Sequence, residues 1–234
     1  MKRELLILDL TEMSGQNVCI AGIDLKSHEQ VRLASPSPTR TTVRSLSQLR
    51  PGDVLSVDYE FERKRVRPQA EDARWNRLTA RKVRTMPYAE VRALLRPSTF
   101  NGVEDAFGEP SVKGARGNHA WQPRRGTRSL GSVAVTYVGV DQDGARKPRI
   151  DLVDGEGKHW HGIPLQDLQA KIHPDECESC EAAHLSNLRI DFAVPGPAIV
   201  RVGLTRPFAS DAGSAPGCWL QVTNVFARER THFV

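Results

Sequence analysis

The stretch HPDECESCEAAH, residues 173 to 184, sets His173, Cys177, Cys180 and His184 at intervals of four, three and four. Two thiols and two imidazoles form the ligand set that tetrahedral zinc prefers. In a helix running from Asp175, Cys177, Cys180 and His184 fall at i, i+3 and i+7 on one face, and His173, just ahead of Pro174, folds back toward them. Two considerations weigh against a metal. Structural zinc sites join two short ligand pairs across a longer loop, whereas ligands on successive turns close little of a fold. Along a straight helix the three also spread over roughly 10 Å, too far for metal bonds of about 2.0–2.3 Å. With Leu188, the same residues read equally as the buried stripe of an amphipathic helix, because free cysteine behaves as a small apolar side chain. A structural zinc and a core stripe both stay open, and no other cofactor is expected.

A second constellation is KHWHG, residues 158 to 162. On a strand His159 and His161 share one face and Trp160 takes the other. Either the imidazoles or the indole meets a base or a metal, or Trp160 fills a core while the histidines stand in water. Motifs of known reactions are missing. The chain has no Gly-x-Ser-x-Gly, no phosphate loop, no dinucleotide fingerprint and no His-Glu-x-x-His. PGDVLSVDYEFERK has the superficial look of a metal-dependent nuclease, but an extended strand separates Asp53 from Glu62 by roughly 30 Å, so they cannot share a metal. No catalytic residue is assigned.

Charge is more informative. The formal net charge is +5, yet residues 60 to 130 hold 16 Lys and Arg against 8 Asp and Glu, leaving 17 against 20 for the rest. A local cationic excess attracts polyanions through counterion release, and nucleic acid is the commonest polyanion of a cytosol. Arg63, Lys64, Arg65, Arg67, Lys113, Arg116, Arg124 and Arg125 are the candidate phosphate contacts. Trp75, Trp121 and Trp160 are the candidate stacking residues, Trp121 lying amid Lys113, Arg116, Arg124, Arg125 and Arg128. The expected role is a non-catalytic nucleic-acid binder, DNA or RNA, single-stranded or structured. The alternative is a module that docks a protein partner or senses a small nucleotide. Four cysteines with one close pair fit a reducing compartment, and neither a leader nor an apolar run long enough for a bilayer is present, so a cytoplasmic protein without membrane contact is expected.

The elements that must position these residues are mostly strands. ELLILDLT, NVCIAGIDL and EQVRLAS are Leu/Ile/Val-rich runs separated by turn residues, and DVLSVDYEFE follows the Pro51-Gly52 turn. PYAEVRALLR reads as a helix opened by Pro87, with Val91, Leu94 and Leu95 on one side. From Pro97 to Leu130 no period persists, which predicts a linker or long loop. Strands resume at GSVAVTYVGV, PRIDLVD and KHWHGIPL, followed by a short helix at LQDLQAKI and strands at NLRIDFAV, AIVRVGLTRPF and CWLQVTNVF. The helical crossovers of a parallel α/β fold are missing. Two five-stranded barrels in tandem with a few short helices are therefore expected: residues 1–96 with a C-terminal helix, a basic Gly/Pro-rich segment at 97–130, and residues 131–234. The second half suits the oligonucleotide/oligosaccharide-binding (OB) order better, having its helix after the third strand.

NVCIAGIDLKSHEQVRL, RPGDVLSVDYE, RPQAEDARW and VGLTRPFASDAGSAPGCWLQVTNVF together resemble the bacterial dual OB-containing domain family over nearly the whole chain. The resemblance implies two OB barrels in one unit and nucleic-acid binding presumed from that fold. It carries over no catalytic residue, and the fold alone does not fix the ligand.

Overall fold

The computed structural model describes residues 2–13, 15–63, 66–114, 118–144, 147–168, 189, 192–209 and 215–227. Its first half is built from β1 (Lys2–Glu12), β2 (Val18–Asp24), β3 (Gln30–Ser35), helix α1 (Arg40–Ser45), β4 (Asp53–Phe61), β5 (Asp72–Thr85) and helix α2 (Tyr88–Leu95). The five strands close in the order β1-β2-β3-β5-β4, parallel only between β3 and β5. With β4 beside β1, the first four strands make a Greek key. Leu5, Ile7, Leu10, Ile20, Val31, Leu33, Leu55, Val57 and Trp75 fill the barrel.

Helix α1 lies between the third and fourth strands, where the periodicity of the sequence reveals no helix. Thr39 caps it, its Oγ1 accepting the Thr42 N–H at 3.2 Å while the Thr42 Oγ1 accepts the Thr39 N–H at 3.2 Å. A threonine does here what Glu or Gln does in the usual capping box, and this hides the signal. The first half therefore has the OB helix in its proper place. Helix α2 forms as its spacing predicts, burying Tyr88, Val91 and Leu95.

The second half adds β6 (Thr99–Phe100), α3 (Val103–Phe107), β7 (Val112–Lys113), β8 (His119–Trp121), β9 (Leu130–Gln142), β10 (Pro148–Asp154), β11 (His159–Pro164), β12 (Ala198–Leu204) and β13 (Cys218–Ala227). The sheet order is β11-β10-β9-β12-β13-β8-β7, with β6 joined to β9. This sheet curls until Leu165 forms a parallel bridge to Val222, repeating the β3–β5 pairing of the first barrel. The molecule is thus a mostly β protein of two OB-like barrels in tandem. Leu165 and Asp167, expected in a helix, lie in β-bridges instead. Arg189 and Phe192, expected in a strand, are helical, with the Ala193 N–H donating to the Arg189 carbonyl at 3.0 Å.

The segment 97–130, expected as a linker or loop, contributes to the second core. Val103, Ala106, Phe107 and Trp121 are buried in it among the valines of β9 and β12. These four residues are one short helical triplet, Val103, Ala106 and Phe107, and a lone Trp121, too little for a sustained period to betray them. Among the described residues no helix is long and apolar enough to cross a membrane.

The barrels join through sheet faces. A bulge after Ile7 reverses the alternation of β1, so Leu5, Ile7 and Leu10 point inward while Leu6, Leu8 and Asp9 face the other barrel. On β13 a bulge at Thr223 does the same for Thr223, Asn224 and Phe226. Leu6, Leu8, Ile23 and Val54 meet Ile199 and Phe226, with α2 covering the seam. Within it the Arg201 guanidinium donates to Asp9 at 2.6 Å, to Ser132 Oγ at 3.0 Å and to Gln30 Oε1 at 3.1 Å, while Thr223 Oγ1 donates to Asp9 at 2.8 Å.

Candidate nucleic-acid interface

Packing uses much of the outer sheet face of the first barrel. The outward side chains of β1 and β2 are covered by β12, β13 and α2, which leaves this barrel the exposed residues of β5 and its loops to present to a ligand. The relevant loop joins β4 to β5 and is held from both sides of the seam. Glu71 accepts the Ser129 and Leu130 N–H groups at 2.7 and 3.2 Å and the Ser129 hydroxyl at 3.1 Å. Gln69 Nε2 donates to the Thr205 carbonyl at 3.0 Å and approaches Cys218 Sγ at 3.9 Å. Burial pushes the Cys218 thiol up, against the lowering effect of Gln69. Pro68 adjoins Gly126, where an added Cβ would stand 3.6 Å from the proline Cβ. Arg206 pairs with Asp72 at 2.7 Å.

Three connections thereby converge: residues 62–71 of the first barrel, residues 122–129, and the loop that begins at Thr205. Arg63, Arg67, Arg124 and Arg125 sit on the first two, all exposed. Arg124 has a φ of 66°, the left-handed conformation, in a turn closed by Arg125 N–H donating to Gln122 O at 3.2 Å. Lys113 is exposed on the β7–β8 hairpin, which joins β13 through the pairs Cys218–Trp121 and Trp219–Ala120. Among the described residues none of these five cations has an ion-pair partner. Three of the five cations of β5 differ: Arg74 pairs with Glu62 at 3.0 Å, Lys82 with Asp53 at 2.8 Å and Arg84 with Glu4 at 2.8 Å, while Arg77 donates to the Ser37 carbonyl and Arg81 is exposed. Lys64, Arg65 and Arg116 lie outside the described residues, as do His173, Cys177, Cys180 and His184.

The three tryptophans expected to stack on bases belong to the cores. Trp75 is 5%, Trp121 1% and Trp160 0% exposed. Their indole N–H groups donate to Pro36 O at 2.7 Å, Glu109 O at 2.7 Å and Asp154 Oδ2 at 2.8 Å respectively. Large apolar rings found better burial than a loop surface offers, so none of the three presents a face to a ligand. Among the described residues the aromatics left at the surface include Tyr137 on β9, 46% exposed, and, beside the β7–β8 hairpin, Phe208 and Trp219, neither of which the sequence singles out as a site residue. A signal existed, because Trp219 alternates with Gln221 and out of phase with Cys218, Leu220 and Val222, which face the core.

On the β9–β10–β11 face, His159 and His161 are exposed with rings 6.0 Å apart, and His161 Nδ1 lies 3.5 Å from Asp151. Among the described residues no group of three or more His, Cys, Asp or Glu side chains is placed to hold a metal. Asp53 is fully engaged by the Arg50 N–H at 2.9 Å, the Thr85 hydroxyl at 2.7 Å and Lys82, as a structural bracket of the β4 start.

No curated protein matches the sequence. Among solved structures, a murine DNA binding protein bound with ds DNA aligns over 97% of this chain and 96% of its own at 10% identity, with a TM-score of 0.29, a likeness too slight to bear on function. The family is another matter: two Greek-key barrels fused through their sheet faces account for the whole described chain, residues 4–225 match the profile of the dual OB-containing domain, and the chain belongs to that family.

Proposed function

We propose that this protein binds nucleic acid without transforming it, mainly through phosphate contacts made where the loops of the two barrels meet. The observation that carries this reading is the set of exposed cations without ion-pair partners among the described residues, Arg63, Arg67, Lys113, Arg124 and Arg125, on loops that Glu71, Gln69 and Pro68 hold against one another. The barrel seam fixes those loops, so little ordering entropy opposes a polyanion that lies across them. OB barrels serve oligonucleotides through such loops as well as through sheet faces.

Binding measured at several salt concentrations tests it. An Arg124→Ala/Arg125→Ala variant should bind more weakly, and the slope of log K against log salt should flatten by about 1.4 to 1.8, the loss of two phosphate contacts. An unchanged slope would remove this loop from the interface.

A further inference from the structure

Resting on that reading, we propose that Trp219 and Phe208 form a base-stacking platform and that the partner is therefore single-stranded nucleic acid. Val112, Ala120 and Trp219 are register partners across β7, β8 and β13, so their side chains share one face of the sheet. The residues next to them, Trp121 and Cys218, take the opposite face and fill the core. Val112 is 54% and Phe208 49% exposed, and Trp219 is half-buried. Ala120, between Val112 and Trp219, is buried at 8%, so the apolar surface at the edge of the cationic loops consists of Val112, Trp219 and Phe208.

The two rings are held in place before any ligand arrives. The Trp219 indole lies over the backbone at Gly114, where an added Cβ would come within 2.8 Å of Cζ3 and Cη2. Its Nε1–H donates to the Phe208 carbonyl at 3.0 Å. Phe208 and Gly217 exchange backbone hydrogen bonds at 3.1 and 3.0 Å, and the Phe208 ring stands 6.2 Å from the indole. None of this uses the phenyl group for the core, so its exposure is unexplained by stability.

Charge complementarity selects the occupant. Arg206, two residues before Phe208, keeps 58% of its side chain exposed beside Asp72, while Lys113, the register partner of His119, leaves the edge strand β7 on the other face. An apolar surface with Arg206 at its border and the cationic loops beyond matches bases on rings and phosphates on charges. Duplex bases are already stacked on one another and offer no face, so the platform discriminates against them.

Fluorescence polarisation with labelled oligo(dT), oligo(U) and a hairpin duplex of equal length tests the platform. The wild type should prefer the single strands. Trp219→Ala should weaken single-strand binding about 5- to 150-fold with duplex binding nearly unchanged, and Trp219→Phe should restore most of the loss. If Trp219→Ala fails to fold, Phe208→Ala decides, since its ring supports no core, and it should show the same selective loss. Equal single-strand and duplex affinities with a normal salt slope, and neutral Phe208→Ala, would overturn the platform alone. A sedimentation change in either variant with unaltered binding would make this surface a contact between copies and overturn the platform too. No binding to any of the probes by the wild type at low salt would overturn the nucleic-acid reading itself.

Discussion

At the scale of residues, the same side-chain types take opposite roles according to what stands beside them. Arg74, Lys82 and Arg84 on β5 are held by acids, whereas Arg124 and Arg125 on their turn have none among the described residues, although both groups come from one cationic stretch of sequence. Tryptophan divides likewise: all four indoles donate a hydrogen bond, so burial alone separates Trp219 from the other three. His119 shows a residue whose protonation its surroundings disfavour. Its ring lies 4.5 Å from Trp160 and its Nδ1 3.1 Å from Ser111 Oγ. Burial, with Lys113 and Lys158 nearby, pushes its pKa below the ordinary histidine value. The folded protein therefore takes up that proton at lower pH than the unfolded chain, which does so as pH falls through about 6.5, so its contribution is complete above that pH and is lost as pH falls toward the lowered folded value. Denaturant midpoints should fall from about pH 7 to about pH 5.5, and His119→Gln should remove part of that fall. A slope identical in the variant would take His119 out of the account.

At the scale of elements, the pairing of β1 with β2 depends on a missing side chain. Gly22 faces Ile7 across the ladder, and a Cβ built on it would stand 1.8 Å from the Leu6 carbonyl oxygen. The obstruction is backbone, which cannot swing aside as a side-chain tip does. Gly22→Ala should therefore destabilise the protein by about 1–3 kcal/mol or more in chemical denaturation. Gly144→Ala is the control, because nothing lies within 4 Å of the added carbon. Comparable losses at both positions would show that glycine flexibility, rather than the β1–β2 approach, governs the effect. The bulges in β1 and β13 matter equally at this scale. Each reverses the alternation of its strand midway, and together they turn Asp9 and Thr223 toward Arg201.

At the scale of the whole molecule, the two barrels share one buried charge network and one apolar seam. Arg201 and Asp9 have side chains 0% and 1% exposed, and separating the barrels would leave each charge without its partner in water-poor surroundings or force it into solvent with Leu6, Leu8, Ile23 and Phe226. Stranding one buried charge costs about 3–5 kcal/mol, a large share of an ordinary stability. The barrels should consequently unfold together: amide exchange in β1–β4 and in β9–β13 should report the same opening free energy. Two well-separated values would mean that the seam is weaker than its burial implies. The converging loops of the proposed interface exist only while this seam is closed, so binding and global stability should be coupled.

Much of the architecture was legible before folding. The apolar runs of β1, β2, β4, β9, β10, β12 and β13, the helix opened by Pro87, the lack of helical crossovers and the cationic centre are all properties of neighbours in the chain, which short-range periodicity and composition report. Helix α1 escaped because its cap is a threonine pair, and residues 97–130 escaped because their buried share of the core is one five-residue helix and a lone Trp121, too short a run for a period to show. The candidate site was legible only in its charge. Which arginines stay without partners, which tryptophan remains at the surface and where loops 62–71 and 122–129 meet depend on contacts between residues far apart in sequence, such as Glu71 with Ser129 and Gln69 with Thr205. Local sequence thus set the strands and the sign of the charge, while tertiary packing, which buries the most favourable rings and pairs the nearest charges first, decided what was left facing the solvent.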